Sequence, residues 1–302
     1  MIHNSVIELI GHTPMVKINK IVGPEDADVL VKIEKMNIGG SVKDRLALYL
    51  IEDAEKRHPD IRSRVIIEAT SGNTGIGLAM IGAIKGYKIA IVMPGSVSVE
   101  RRKIIKAYGA QLILSPGDQG TAGAITLKNE LVAKDPDKYI PLNQFESEVN
   151  VLSHFETTAE EILQDTGGKI DMVVIAVGTA GTGIGISKKL KAFDPGIKVV
   201  GVTPQLGTSI QGLRNPRDKN ASKIFDERYF DEMIEIAPEE VPLTYGFSRR
   251  LAREEGILAG MSSGTAMYIA AQKAKELGKG KTIVTLLADS GERYLSTELF
   301  ES

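Results

Sequence analysis

The chain has 302 residues and a formal net charge of −2, with 42% hydrophobic and 25% charged residues. These values are typical of a globular protein with two domains or one large α/β unit, and they give no reason to expect nucleic acid or an anionic membrane as a partner. The sequence has no cysteine, which excludes disulfides, thiolate nucleophiles and cysteine-bound metal centres. Without an apolar run of about 18 residues or a secretory leader at Met1, we expect a cytoplasmic protein.

Short apolar runs alternate with helical patterns along the chain. In order, the patterns predict strand 29–35, helix 43–56, strand 64–69, helix 73–86, strand 88–93, helix 98–108, strand 111–115, helices 119–134 and 148–165, strand 171–177, helix 183–193, strand 198–202, helices 239–254 and 264–277, strand 282–288 and a short last helix. This alternation favours parallel sheets covered by helices, with ligands beyond the carboxyl ends of the strands. A break in the rhythm near 143–150 suggests a domain boundary.

The first candidate loop is GGSVKDR, residues 39–45. Its ordinary interpretation is a helix start, with Ser41 as N-cap, Asp44 as capping-box partner and Lys43 solvated. The alternative is that Lys43 enters a cleft as a Schiff-base former, since a lysine is disfavoured by the positive end of a helix and needs a reason to be there.

The second loop is EATSGNTGIG, residues 68–77, which leaves a strand and enters an apolar helix. Capping by serine, threonine or asparagine would explain some of its polar residues. Because Thr70, Ser71, Asn73 and Thr74 surround a single glycine, Gly72, the loop also suits a carboxylate or phosphate at a helix N-terminus.

Two further loops carry polar residues at predicted helix starts. VGTAGTGIG at 177–185 is a candidate phosphate loop, but it lacks both the lysine of a Walker A motif and the third glycine of the dinucleotide fingerprint. In GILAGMSSGTA at 256–266, Ser262 and Ser263 could simply cap the next helix. The four histidines lack metal-ligand spacing, so no metal site is expected, and the basic cluster 101–103 is predicted to be a solvated face.

Taken together, these loops resemble the cysteine synthase and cystathionine β-synthase family of pyridoxal-phosphate-dependent β-replacement enzymes (fold type II). The resemblance covers nearly the whole chain, and it is carried by IGHTPMVKIN at 10–19, NIGGSVKDR at 37–45, TSGNTG at 70–75, MPGSVSVERRKIIKAYGA at 93–110, GTAGTG at 178–183, GMSSG at 260–264 and SGERYLST at 290–297. It implies a tryptophan synthase β-like α/β fold with two domains, each a mostly parallel twisted sheet flanked by helices. The smaller, substrate-closing domain would span 38–148, and the larger, cofactor-anchoring domain 1–37 plus 149–302.

The resemblance also implies the roles of individual residues. Lys43 would bind pyridoxal 5'-phosphate covalently and act as the catalytic base, Asn73 would contact the ring hydroxyl, and Ser262 would face the ring nitrogen. The residues implied to hold the cofactor phosphate are Gly178, Thr179, Ala180, Gly181 and Thr182. Those implied to bind the substrate carboxylate are Thr70, Ser71, Gly72, Thr74 and Gln144.

The implied reaction is the formation of L-cysteine from an activated serine, with O-acetyl-L-serine as the first candidate, and sulfide, through an α-aminoacrylate intermediate. The segment IQGLRNPRDKN at 210–220 departs from the pattern of acetylserine enzymes by placing Arg214, Arg217 and Lys219 after its glycine. This resembles members that use O-phosphoserine, with Arg214 contacting the substrate phosphate, although a solvated basic loop would explain it too. A lyase of the same fold that releases sulfide from cysteine, or pyruvate from serine, is a further alternative. The resemblance implies a homodimer and allows a complex with serine acetyltransferase.

Overall fold

The computed structural model describes residues 2–218 and 221–301. The chain divides into two compact units: a smaller unit of the segment ending at Ile10 plus Asn37–Asn150, and a larger unit of Gly11–Met36 plus the chain from Val151 onward. The sequence assigned the first ten residues to the larger domain. In the structure, Ile7 and Ile10 pack on the core of the smaller unit, and this packing explains the difference.

The strands, in chain order, are β1 Met15–Lys17, β2 Asp28–Ile33, β3 Val65–Ala69, β4 Lys88–Pro94, β5 Gln111–Ser115, β6 Tyr139–Pro141, β7 Met172–Ala176, β8 Lys198–Pro204, β9 Glu232–Ile236 and β10 Thr282–Leu287. The α-helices are α1 Lys43–Arg57, α2 Asn73–Lys85, α3 Val99–Ala107, α4 Gly120–Lys134, α5 Val149–Ser153, α6 Ala159–Thr166, α7 Gly181–Phe193, α8 Val241–Glu255 and α9 Met261–Leu277. A π-helical segment, His154–Thr158, joins α5 to α6. Within the described residues, no helix is both long and apolar enough to cross a membrane.

The smaller unit is built on a parallel sheet with the order β5-β4-β3-β6. Both faces of its central strands are covered, which explains why β3 and β4 read as nearly continuous apolar runs. On one face, Leu46 and Leu50 of α1 and Ile76 of α2 form the core with the strands. On the other face, Ala124 of α4 packs against the sheet.

The larger unit is built on a sheet with the order β1-β2-β10-β7-β8-β9, parallel except for the antiparallel β1. Val29, Val31 and Ile283 from the sheet and Met267 and Ala270 from α9 are fully buried in its core. The two sheets confirm the predicted α/β class with mostly parallel strands.

The predicted helix 148–165 is confirmed as a helical stretch over 149–166, but it contains the π-helical segment, which the sequence did not indicate. There the Ala159 N–H bonds the His154 carbonyl oxygen, one residue further back than in an α-helix. The Thr157 hydroxyl donates to the Ser153 carbonyl oxygen, so a side chain competes for a carbonyl of the α-helical ladder.

Candidate active site

Lys43 is the first residue of α1, at the end of a loop that only glycine can form. The Gly39 N–H donates to Asp44 Oδ2 at 2.7 Å, and a Cβ on Gly39 would lie 2.6 Å from Asp44 Oδ1. The predicted capping box is therefore wrong, because Asp44 accepts from Gly39 while Ser41 Oγ accepts from the Lys43 N–H at 3.2 Å. The loop fixes the backbone from which the Lys43 side chain departs.

The Lys43 amine is partly buried, and its desolvation lowers its pKa to about 8. A much larger fraction of this amine is therefore unprotonated at neutral pH than of an exposed lysine. An unprotonated amine is the form that attacks an aldehyde. Lys43 is thus chemically suited to bind a carbonyl cofactor covalently.

The loop between β3 and α2 leaves Ser71, Gly72 and Asn73 partly accessible, while Thr70 and Thr74 are buried. The N-cap of α2 is Gly72, which has no side chain to cap the helix, while the Gly72 N–H itself donates to Thr70 Oγ1 at 3.1 Å. An uncapped helix start offers backbone N–H groups to an anion. This arrangement fits a substrate carboxylate.

Gln144 is brought to the same loop by the turn after β6. Its Oε1 accepts from Thr74 Oγ1 at 2.7 Å, and its Nε2 donates to the Ala69 carbonyl oxygen at 3.0 Å. The structure therefore places Gln144 beside the 70–74 loop, next to the residues with which the family resemblance groups it.

Close packing of α1 on α2 brings Lys43 and Asn73 to neighbouring helix starts. A Cβ on Gly77, one turn into α2, would lie 2.8 Å from Ala47 Cβ and 3.4 Å from Asp44 Cα. Contact this close near both N-termini needs glycine at position 77. Lys43, Asn73, the 70–74 loop and Gln144 thus form one group of residues within the smaller unit.

In the larger unit, the loop from β7 into α7 has the features of an anion cradle. Ala180 has a φ of +69° and is the N-cap of α7, and no described side chain caps this helix either. A Cβ on Gly178 would lie 2.5 Å from the Gly212 carbonyl oxygen, so this position cannot carry a side chain. Residues 178–182 therefore fit a phosphate group bound by backbone N–H groups at a helix start.

Ser262 and Arg214 lie beside this loop in the larger unit. The Arg214 N–H donates to the Val177 carbonyl oxygen at 3.0 Å. A Cβ on Gly212, whose φ is +96°, would lie 3.4 Å from Ser262 Oγ. Ser262 is buried in the first turn of α9. Residues 178–182, Arg214 and Ser262 therefore lie close together within the larger unit.

An activated lysine, an uncapped helix start for a carboxylate and a glycine-rich phosphate loop, carried on parallel α/β sheets, are the features of a pyridoxal-phosphate enzyme. A family model described as "pyridoxal-phosphate dependent enzyme" matches residues 6–289. The chain belongs to this family, and its cofactor is pyridoxal 5'-phosphate.

Individual relatives are similar over nearly their full length. A cysteine synthase of Staphylococcus aureus (strain Mu50) is 45% identical over 305 residues, covering 98% of this chain and 97% of that protein. A hydrogen sulfide-producing enzyme of Fusobacterium nucleatum has a TM-score of 0.90 and 41% identity, covering 97% of this chain and 100% of its own. O-acetylserine sulfhydrylase isoform 3 of Entamoeba histolytica has a TM-score of 0.88 and 41% identity, covering 100% and 92%.

The predicted solvated face at 101–103 is wrong for two of its three residues. Arg101 is buried, and its Nε lies 3.4 Å from the position of a Cβ on Gly72. Arg102 is half-buried and donates to the Val97 carbonyl oxygen, while Lys103 is exposed. Periodicity along α3 could have suggested an inward-facing arginine, because residue 101 lies one turn before the buried Ile105.

Glu68 was also missed, although a charged residue within the apolar strand β3 is itself a signal. It is buried, and within the described residues its Oε2 has no hydrogen-bond partner. Burial raises the pKa of this carboxyl to about 7, against the opposing effect of Lys128 and of the backbone amides of Asn143, Gln144 and Ala69. The Glu68 carboxyl therefore lies next to the backbone of Asn143 and Gln144, in the turn after β6.

Proposed function

We propose that this protein forms L-cysteine from O-acetyl-L-serine and sulfide, releasing acetate. The proposal is supported by the similarity to the Staphylococcus cysteine synthase and the Entamoeba sulfhydrylase. The observation that carries it is the partly buried Lys43 amine, whose pKa is lowered to about 8, next to the start of α2.

Each group of residues has a distinct role in this proposal. In the smaller unit, Lys43 holds the cofactor aldehyde, Asn73 contacts its ring hydroxyl, and Thr70, Ser71, Gly72, Thr74 and Gln144 bind the amino-acid carboxylate. In the larger unit, residues 178–182 hold the cofactor phosphate. Ser262 faces the ring nitrogen and, being uncharged, cannot keep that nitrogen protonated as a carboxylate would.

When bound, the cofactor withdraws electrons from the Cα of the amino acid. The Lys43 amine would remove the Cα proton, and its lowered pKa suits it to act as a base near neutral pH. The 70–74 loop keeps the carboxylate fixed while acetate leaves the β-carbon and sulfide adds there. Lys43 would then return a proton to Cα, which completes L-cysteine.

For the amino-acid donor, the sequence offers a specific alternative to O-acetylserine, which is O-phosphoserine. Arg214 lies beside the phosphate loop, and its burial lowers the pKa of the guanidinium, which nevertheless stays charged at neutral pH. Arg217 is instead exposed and pairs with Glu235 at 3.6 Å, while Lys219 lies outside the described residues. Of the two described arginines of this segment, Arg214 is therefore the candidate to bind an O-phosphoserine phosphate.

Release of sulfide from cysteine is the second candidate function, favoured by the similarity to the Fusobacterium hydrogen sulfide-producing enzyme. Both reactions remove a β-substituent from an amino acid. They differ in whether an added nucleophile is consumed, so rates measured with and without sulfide separate them.

The test of the proposal is Lys43→Ala. We expect the variant to lose turnover by more than about a thousandfold and to lose the covalently held cofactor, because the amine serves as both anchor and base. Steady-state rates and borohydride trapping followed by peptide mapping measure the two effects. Lys56→Ala, at an exposed position of the same helix, is the matched control. Trapping of the cofactor on another lysine would refute the proposal.

The donor is tested by comparing O-acetylserine, O-phosphoserine, serine and cysteine, each with and without sulfide. If O-phosphoserine is used, Arg214→Ala should lower its kcat/KM by about tenfold or more while sparing O-acetylserine, since a hydrogen bond between charged groups is lost. Arg217→Ala is the control and should change neither value. Equal losses for both donors in Arg214→Ala would reject a phosphate-binding role.

We also propose, on the family resemblance, a cytoplasmic homodimer that can bind serine acetyltransferase. Light scattering on the purified protein tests the dimer. Co-purification with an acetyltransferase of the same organism tests the complex.

A further inference from the structure

His154 connects the π-helical segment to the phosphate loop. Its ring is fully buried, with Nδ1 2.9 Å from Thr158 Oγ1 and Nε2 3.1 Å from Thr182 Oγ1. Thr182 is in the first turn of α7, where the phosphate loop ends. Both ring nitrogens are therefore in contact with hydroxyl groups, one on each side.

The packing of α7 holds this contact in place. A Cβ on Gly185 would lie 2.4 Å from the Val151 carbonyl oxygen, 2.9 Å from His154 Cβ and 2.9 Å from the Phe155 N. The helix that carries Thr182 is thus pressed onto the segment that carries His154. His154 is the first residue of the π-helical segment, and such segments often occur at functional sites.

When the imidazole is neutral, the hydrogen bonds that link Thr158, His154 and Thr182 can be arranged in two ways. If Nδ1 carries the proton, it donates to Thr158 Oγ1, and Nε2 takes the proton of the Thr182 hydroxyl. If Nε2 carries the proton, it donates to Thr182 Oγ1, and the Thr182 hydroxyl proton stays available to another acceptor. A bound phosphate accepts hydrogen bonds, so it favours the second arrangement.

We propose that His154 is a positioning residue for the cofactor phosphate: its Nε2–H donates to Thr182 Oγ1, so that the Thr182 hydroxyl donates to the phosphate. Thr158 completes the arrangement by donating to Nδ1. This inference rests on the proposed function, because it takes residues 178–182 as the phosphate site.

The test compares cofactors that differ only in the phosphate. Holoenzyme is stripped of cofactor, and binding of pyridoxal 5'-phosphate and of pyridoxal is followed by visible absorbance. We expect His154→Ala to weaken pyridoxal-phosphate binding by about tenfold or more and pyridoxal binding by less than about twofold. His154→Gln keeps an N–H donor and should recover part of the loss. His58→Gln, in the smaller unit, is the control.

Thr182→Val provides the second arm of the test. If His154 acts through Thr182, the double variant that combines His154→Ala with Thr182→Val should bind pyridoxal phosphate no more weakly than Thr182→Val alone. Additive losses, or equal losses for both cofactors in His154→Ala, would mean that the histidine only supports the fold, and would overturn the inference.

A measurement on the unaltered holoenzyme covers the case in which His154→Ala does not fold. Nitrogen-15 NMR of the histidine rings should show a proton on Nε2 of His154, and a proton on Nδ1 alone would overturn the inference. If the unaltered chain bound no pyridoxal phosphate at all, the proposed function would fail instead.

Discussion

Two buried ionisable groups of the smaller unit have pKa values shifted toward neutrality from opposite sides. Burial lowers the pKa of the Lys43 ammonium to about 8 and raises the pKa of the Glu68 carboxyl to about 7. In both cases removal from water disfavours the charged form. For Lys43 the shift serves the proposed chemistry, whereas for Glu68 it has a consequence for stability.

Glu68→Gln should make the smaller unit less sensitive to pH. In the folded state Glu68 keeps its proton up to about pH 7, whereas the unfolded chain releases it near the ordinary glutamate pKa of 4.5. The native carboxyl therefore costs stability progressively as the pH rises from about 4.5 to 7, and the cost remains at higher pH. We expect the variant to gain on the order of a few kcal/mol over the unaltered chain at pH 8 and little at pH 4.5.

Urea unfolding at a series of pH values measures this difference. Glu130→Gln, at an exposed position of α4 close in sequence to Lys128, is the control and should parallel the unaltered protein. A Glu68→Gln curve that runs parallel to the unaltered one across this range would contradict the assigned pKa shift.

The residues of the candidate site were predictable where the sequence concentrates glycine with polar side chains. This holds for Lys43 after two glycines, and for the loops at 70–74 and 178–182. His154, Glu68 and Arg101 were not assigned a place near the site. For His154 the reason is that its contact with Thr182 joins residues far apart in sequence, which only the fold brings together. Arg101 and Glu68 did carry local signals, an inward position on α3 and a charge within an apolar strand.

At the scale of the elements, the long strands and helices were predictable because their burial is periodic or continuous. The strands β1, β6 and β9 were missed. β1 and β6 have three residues each, and β9, at a sheet edge, has a single buried residue, Ile236. In short edge strands, pairing with a neighbour outweighs local preference.

Gly185→Ala should destabilise the larger unit, because the new methyl group would meet the Val151 carbonyl oxygen at 2.4 Å. Alanine has a higher helix propensity than glycine, so a loss of stability in this variant would come from the steric clash and not from helix propensity. We expect a loss of about 1–3 kcal/mol in the free energy of unfolding, together with weaker pyridoxal-phosphate binding, since α7 must shift.

Gly246→Ala in α8 is the matched control. A Cβ at position 246 has no described atom within 4 Å, so this substitution should stabilise the helix by about 0.5–1 kcal/mol. If Gly185→Ala were as stable as Gly246→Ala in thermal and urea unfolding, the close packing of α7 would be refuted.

At the scale of the molecule, each unit has its own sheet and its own core. The two sheets differ in how far apart in sequence their paired strands are. In the smaller unit Val65 pairs with Lys88, whereas in the larger unit Asp28 pairs with Thr282. The class of each sheet was predictable from strand–helix alternation. The strand order was not, because it depends on pairings across nearly the whole chain.

These pairings predict the order in which the sheets form during refolding. Contacts between distant residues form slowly, since a longer loop must close first. In pulsed hydrogen exchange after dilution from denaturant, amides of β3 and β4 should become protected before those of β2 and β10. Simultaneous protection of the two sets would show that sequence separation does not limit the larger sheet.

The position of β10 also matters while the chain is being made. β10 joins β2 on one side to β7 on the other, so the sheet of the larger unit stays in two pieces until residues 282–287 leave the ribosome. The smaller unit has all its residues by Asn150. In the described sheet β2 lies between β1 and β10, so in the nascent chain it could pair only with β1. Until α9 is made, Val29 and Val31 of β2 also lack their cover. During that interval the apolar residues of β2 are uncovered, which favours aggregation of the nascent chain.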